Sequence, residues 1–307
     1  MPVPRVALAP SGVRGWLADS IRDGGGEVVE PHEAEVLVWA EPAQADRLGE
    51  LLRGAAGGVT WVQLPWAGIE PYVDVVRAEA ARIWTCGKGV YAEPVAEHAL
   101  ALLLGGLRGL DRYVPATTWT APHGTNLLGA KVVVLGGGGI TTSLLRLLEP
   151  FGCDVTVVRR RPEPMAGASR VVGVEQLDDV LTDAIAVVLA LALTPDTTGI
   201  IAAPQLDRMS ERGWLVNVAR GAHVVTDDLV AALHAGTIGG AALDVTHPEP
   251  LPDGHPLWSA PRCIITPHVG NTPEMAVPLL AARITDNVRR WAGGEPLVGV
   301  VDPALGY

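Results

Sequence analysis

Arg220, Glu249 and His268 carry the clearest chemistry in this sequence, standing 29 and 19 residues apart. Each follows an apolar run: Trp214 to Val218 before Arg220, Ala241 to Val245 before Glu249, and Cys263 to Thr266 before His268. A guanidinium stays charged and matches a carboxylate through two parallel N–H bonds. An imidazole gives or takes a proton near neutral pH, and a carboxylate beside it stabilises the imidazolium and fixes its tautomer. The three together suit the reduction of a ketone next to a carboxylate. Arg220 would anchor the carboxylate, His268 would protonate the alkoxide, and Glu249 would partner His268. Taken singly, each reads more simply as a core histidine, a surface arginine or a residue of the Pro-Glu-Pro turn.

Such a reaction needs a hydride source, and Lys131 to Thr142, KVVVLGGGGITT, offers a place for one. An apolar strand runs into a glycine turn and then a helix, which is how a dinucleotide pyrophosphate is held. Gly136 makes the tight turn, Gly138 lets the backbone approach, and Gly139 and Ile140 open a helix whose amides and dipole favour an anion. The third position of the GxGxxG pattern falls on Thr141, a β-branched residue expected to push the helix outward or shift the turn by one. A register on Gly137 and Gly139, with Thr142 third, also fits the four glycines. The next strand, Asp154 to Val158, ends in Arg159, Arg160 and Arg161. A carboxylate at this strand end would accept from a ribose 2′-hydroxyl, whereas Arg159 and Arg160 suit a 2′-phosphate. NADP(H) is therefore the expected cofactor, with NAD(H) as the alternative.

The elements that must position these residues follow from the apolar periodicity. Strands are expected over Val3 to Ala9, Glu35 to Trp39, Val59 to Leu64 and Arg82 to Thr85, and helices over Gly12 to Asp23, Gln44 to Gly54 and Glu70 to Ala80. One long apolar helix is expected over Ala92 to Tyr113, with Gly105, Gly106 and Gly109 allowing close approach of another helix. A second strand and helix series runs from Lys131 to about Thr266, and a last helix from Pro273 to Gly293. The expected fold class is α/β, with two Rossmann-like domains built on parallel sheets. A dinucleotide-binding domain, residues 95–274, is inserted into a substrate-binding, flavodoxin-like domain made of residues 1–94 and 275–307.

The 307 residues carry a net charge of -11 without a basic stripe, which argues against nucleic acid and anionic membrane as partners. Cys86, Cys153 and Cys263 are odd in number, widely spaced and set among apolar residues, as reduced thiols of a cytoplasmic protein would be. None has the close neighbours a metal site needs, so no metal is expected.

Three segments carry a resemblance: LVNVARGAHVVTDDLVAAL (215–233), GGAALDVTHPEPLPDGHPLW (239–258) and IITPHVGNTPE (264–274). They resemble the D-isomer-specific 2-hydroxyacid dehydrogenases, whose Arg, Glu and His occur in this order and spacing. AEPVAEHALALLLGGLR (92–108), LLGAKVVVLGGGGI (127–140), LALTPDTTGII (191–201) and the tail GEPLVGVVDPALGY (294–307) also look familial. The NADPH-dependent glyoxylate/hydroxypyruvate reductase branch is the most similar. The resemblance implies a small 2-keto or 2-hydroxy acid as substrate and a homodimer with the helix at 92–113 in its interface. It implies that Thr194, Pro195, Val218, Ala219, Asp244 and Gly270 surround the nicotinamide half of the cofactor. The turn at Trp66, Ala67, Gly68 and Ile69 aligns with the loop that receives the substrate carboxylate. Trp66 is bulky for that loop and, with Trp258, would narrow the pocket or suit an apolar substrate. Thr246 and His247 stand where the family usually has an aromatic and often an acidic residue. His98 is expected to hold local hydrogen bonds. Two other readings remain: a catalytically weak dinucleotide-sensing interaction protein on the same scaffold, or a formate- or phosphite-type dehydrogenase, although formate enzymes lack the glutamate partner.

Overall fold

A computed structural model describes residues 3–42 and 44–305, so Met1, Pro2 and the last two residues of the familial tail lie outside it. It divides into two compact units, residues 1–91 with 272–307, and residues 92–271.

The first unit opens with β1 (Arg5–Ala9) and continues through α1 (Trp16–Asp23), β2 (Glu27–Val28), β3 (Val36–Trp39), α2 (Ala45–Arg53), β4 (Trp61–Gln63), α3 (Val73–Ala78) and β5 (Ile83–Thr85). The five strands form a parallel sheet in the order β2-β1-β3-β4-β5. That is the doubly wound flavodoxin-like order. The expected strands are present with trimmed ends; β2, two residues long, is too short to leave a periodic trace. Leu37, Leu48, Leu52, Val62 and Val76 fill the core around this sheet.

The second unit begins with α4 (Ala92–Leu107) and α5 (Leu110–Tyr113). These two helices replace the single helix expected over 92–113. Gly109 between them sits at φ 67°, the left-handed region, so it cannot continue a right-handed helix. Gly106 also has a different neighbour from the one expected. A Cβ on Gly106 would lie 2.2 Å from the Trp214 ring, so the close approach is to a strand's indole rather than to another helix. Then come β6 (Lys131–Leu135), α6 (Gly139–Leu148), β7 (Asp154–Val158), β8 (Arg170–Val172), α7 (Leu177–Leu181), β9 (Ala186–Leu189), α8 (Ala203–Leu206), β10 (Trp214–Asn217), α9 (Thr226–Ala235), β11 (Gly240–Leu243) and β12 (Cys263–Ile265).

These seven strands are all parallel, in the order β12-β11-β10-β9-β6-β7-β8. The strand order reverses between β6 and β9, which makes the switch point where ligands of open α/β sheets bind. Both faces are covered: Val133, Val187, Leu215 and Leu243 pack into one cluster, and Val132, Val134, Val188 and Val216 into the other. Burial on both faces explains why these strands read as continuous apolar runs.

The closing helix, α10 (Pro273–Gly293), returns to the first unit. Asn287 on it is fully buried. Its Nδ2 donates to Gln63 Oε1 at 3.2 Å and Val298 O at 2.9 Å, and its Oδ1 accepts from Val298 N at 2.9 Å. Gln63 Oε1 also accepts from Thr85 Oγ1, which accepts from Trp61 Nε1. Cutting a buried network leaves donors and acceptors unsatisfied at about 1–3 kcal/mol each, so Asn287→Ala is expected to cost about 3 kcal/mol. Urea unfolding measures this, and a loss below about 1 kcal/mol would show that the network relaxes around the gap.

Candidate active site

The parallel sheet of the second unit places the carboxyl end of every strand on one edge. The expected cofactor and catalytic residues all follow those ends: Gly136 to Ile140 after β6, Arg159 and Arg160 after β7, Thr194 and Pro195 after β9, Val218 to Arg220 after β10, Asp244 and Glu249 after β11, His268 and Gly270 after β12.

The glycine turn keeps its register on Gly136. This residue has φ 113°, and a Cβ on it would lie 2.1 Å from Ala190 O, so no side chain fits. Gly138 caps α6 with nothing within 4 Å of a built Cβ, which leaves the backbone open to an approaching group. The first turn of α6 carries no acidic residue. Thr141 is accommodated inside the turn. It is fully buried, and its hydroxyl donates to Gly136 O at 2.9 Å, so the side chain closes the turn from inside. These features fit the pyrophosphate of a dinucleotide.

Arg159 lies over this turn: a Cβ on Gly137 would be 2.7 Å from its Nε. Its nearest carboxylate, Glu163, is 3.8 Å away and mostly exposed, which makes a weak pair. The guanidinium is therefore placed to meet an anion beside the turn, whereas Arg160 and Arg161 are exposed.

After β9, Thr194 begins a short 3-10 turn over Pro195–Thr197, where Thr197 Oγ1 accepts from Thr194 N at 2.8 Å. His223, fully buried, holds this turn: Nδ1 lies 2.9 Å from Thr197 O and Nε2 3.3 Å from Leu191 O. After β10, the buried Asn217 braces the backbone before Arg220. It accepts from Ala219 N at 3.0 Å and donates to Arg220 O at 2.9 Å. Arg220 itself is half-buried, with Nη1 donating to Ala219 O at 2.7 Å, while Val218 and Ala219 are buried beneath it.

Glu249 and His268, 19 residues apart in sequence, meet in space: Nδ1 of His268 is 2.6 Å from Glu249 Oε1. Glu249 Oε2 in turn accepts from Thr246 N at 3.3 Å. With Nδ1 engaged by a carboxylate, the imidazole presents Nε2 to whatever lies on its other side. His268 is one of few non-glycine residues at positive φ, 54°, and its amide donates to Asp244 O at 2.8 Å. A left-handed conformation of this kind persists only where the surroundings enforce it.

Asp244 supplies that enforcement. It is almost fully buried, and its carboxylate accepts from Val269 N and Gly270 N at 2.9 Å each and from Thr266 Oγ1 at 2.6 Å. Burial alone would raise its pKa, but His98 first, and then Thr266 and the two amides, hold it down to about 2. A Cβ on Gly270 would be 2.9 Å from Asp244 Oδ2, so the glycine makes room for the carboxylate. The expectation that His98 bonds locally is corrected here. Its Nε2 lies 3.1 Å from Thr266 Oγ1 and 3.2 Å from Asp244 Oδ1, both far away in sequence. Only the packing of α4 under the sheet edge brings them together.

Trp66, Ala67 and Gly68 lie in the first unit, after β4 and at the carboxyl edge of its own sheet. Sequence reasoning missed Arg14, whose Cζ lies 4.4 Å from the Trp66 ring centre. The expected helix from Gly12 begins instead at Trp16, leaving Arg14 in the loop after β1 at φ 52°. The Pro-Ser-Gly punctuation just past a strand end was the signal that could have placed it there. Among the described residues no helix is long and apolar enough to cross a membrane.

Comparison with known proteins places this geometry. Residues 98–270 match the D-isomer specific 2-hydroxyacid dehydrogenase, NAD binding domain. An uncharacterized protein from the proB 3′ region of Corynebacterium melassecola is 38% identical over 256 residues, covering 81% of this chain and 84% of that one. A glyoxylate/hydroxypyruvate reductase A of Photorhabdus laumondii is 31% identical over 289 residues, 90% of this chain and 88% of that one. Among solved structures, a D-isomer specific 2-hydroxyacid dehydrogenase from Xanthobacter autotrophicus Py2, in complex with NADPH and MES, superposes with a TM-score of 0.82 at 27% identity and full coverage of both chains. Fold, strand-end placement and sequence agree, and the chain belongs to the D-isomer specific 2-hydroxyacid dehydrogenase family.

Proposed function

We propose that the protein reduces small 2-keto acids, glyoxylate and hydroxypyruvate first among them, to D-2-hydroxy acids with NADP(H) as cofactor. The contact that carries this reading is His268 Nδ1 on Glu249 Oε1, at the sheet edge that also holds Arg220 and the glycine turn. NADP(H), when bound, supplies the hydride or takes it back. Arg220 pairs with the substrate carboxylate and polarises the ketone oxygen. His268 gives a proton from Nε2 to the developing alkoxide, and Glu249 stabilises the imidazolium through Nδ1. The amides of Trp66, Ala67 and Gly68 receive the carboxylate. Thr194, Pro195, Val218, Ala219 and Gly270 line the nicotinamide half, while Gly136, Gly138, Gly139 and Ile140 hold the pyrophosphate.

The names of the Photorhabdus relative and of the NADPH-bound Xanthobacter structure support the substrate class and the cofactor. Following NADPH oxidation with glyoxylate and hydroxypyruvate tests the reading. NADPH binding without turnover of any 2-keto acid would favour the interaction protein, and formate-dependent reduction of NADP+ would favour the formate type. Arg159 carries the preference for the 2′-phosphate. Arg159→Ala is expected to raise the KM for NADPH roughly 10- to 100-fold, with much less effect on NADH, because a charge-assisted bond to phosphate is lost. Equal effects on both cofactors would remove Arg159 from the phosphate's neighbourhood. The exposed apolar side chains of Leu110, Val114, Trp119 and Leu128 support the homodimer, which gel filtration measures.

A further inference from the structure

The loop from Pro65 to Gly68 is held from the end of β5. Gly87 N donates to Trp66 O at 2.8 Å, and a Cβ on Gly87 would be 3.1 Å from both Ala67 N and the Trp66 carbonyl carbon. The Tyr91 hydroxyl donates to Pro65 O at 3.4 Å, and the Tyr91 ring leans on Trp66 with centroids 6.2 Å apart. With one side of the indole set by Tyr91, Arg14 lies over the ring from the loop after β1. The sheet order puts the β1 and β4 ends on the same edge, separated only by β3.

A guanidinium held against an indole keeps five N–H donors, and those not turned toward the ring remain available to an anion. Arg14 is half-buried, and burial pulls its pKa below the ordinary value against the opposing pull of Tyr91, Glu41 and Tyr72. Glu41 and the two tyrosines do not fully offset the lost hydration. Arg283, which donates to Lys88 O at 3.0 Å, also bears electrostatically on Tyr91, so a second guanidinium lies near this edge in a protein of net charge -11. These facts decide between two uses of Trp66. An apolar substituent laid on it would take more water from a guanidinium and return nothing. An anionic one would restore what burial removed, through charge-assisted bonds to the fork.

We infer that Arg14, carried on Trp66, is a selectivity residue that favours 2-keto acids bearing a second anionic group, a carboxylate or a phosphate, over uncharged counterparts of similar length. This rests on the reading of the Trp66 to Gly68 loop as part of the substrate site, and it replaces the expectation that Trp66 suits an apolar substrate.

The test compares kcat/KM for oxaloacetate against 2-ketobutyrate, and for 3-phosphohydroxypyruvate against hydroxypyruvate, in the wild type, Arg14→Met and Arg14→Lys. Methionine keeps an apolar stem against the indole and removes the charge. The charged-to-uncharged ratio is expected to fall about tenfold or more in Arg14→Met through KM, and to recover in part in Arg14→Lys. A response in one pair alone identifies carboxylate or phosphate as the preferred group. A ratio that moves less than twofold in both pairs overturns the inference, and so does an equal loss on all four substrates. If the wild type reduces glyoxylate yet shows no Arg14-dependent ratio, the proposed reaction stands and this inference falls. Should no 2-keto acid turn over, calorimetric binding of the same four compounds reads the same ratio without chemistry, with the same two outcomes. Thermal unfolding of each variant identifies loss of fold, in which case Arg14→Lys alone carries the comparison.

Discussion

Replacing His268 with alanine is expected to lower kcat roughly 100- to 10,000-fold, the range that a positioned general acid contributes. NADPH affinity should change little, because the glycine turn that would hold the pyrophosphate and the Arg159 that would hold the 2′-phosphate belong to other strand ends. Stopped-flow turnover beside a fluorescence titration of NADPH separates the two quantities. Equal loss of both would make His268 a structural residue rather than a proton donor. Glu249→Gln should give a smaller loss, since the amide still accepts from Nδ1 at its oxygen but no longer stabilises the imidazolium. If Glu249→Gln is as damaging as His268→Ala, then orientation rather than charge dominates the pair.

Asp244→Ala should be the most destabilising single change at the site. It strips an acceptor from the buried Gly270 amide, the part-buried Val269 amide and a threonine hydroxyl, each worth up to about 1–3 kcal/mol when left unsatisfied. The sum is on the order of 4 kcal/mol, because the Thr266 hydroxyl can turn to another acceptor. Turnover should fall as well, since the freed backbone no longer enforces the left-handed conformation of His268. Thermal unfolding and kcat together check this; a variant of wild-type stability would show that solvent replaces the carboxylate. The same group sets an acid limit. Its pKa is lowered from 3.8 to about 2 in the folded chain, so its stabilisation is fully present above pH 3.8 and is lost as pH falls towards 2. Acid unfolding in that window should flatten in Asp244→Asn.

The strand ends were legible in the sequence because buried parallel strands are written as unbroken apolar runs, and the residues just past each run must lie on the ligand edge. That is why Arg220, Glu249 and His268 could be grouped before any coordinates, and why the pairing of Glu249 with His268 agrees with the spacing. Other features depend on partners that spacing does not reveal. His98 meets Thr266 from 168 residues away, through the packing of α4. Gly109 breaks the long helix although glycine alone does not specify a left-handed residue; Gly105 and Gly106, beside it, stay helical. Arg14 lay hidden because a loop at a strand end has no periodicity, and its stack on Trp66 joins two segments that no local pattern links.

Thr141 carries a lesson for anyone repairing this motif. Restoring the usual glycine would delete the hydroxyl that closes the strand-to-helix turn and take its donor from the Gly136 carbonyl. The consensus change, made to strengthen nucleotide affinity, should slacken the grip instead. A search that insists on three glycines would likewise pass over this turn, in which a threonine hydroxyl stands in the last glycine's place.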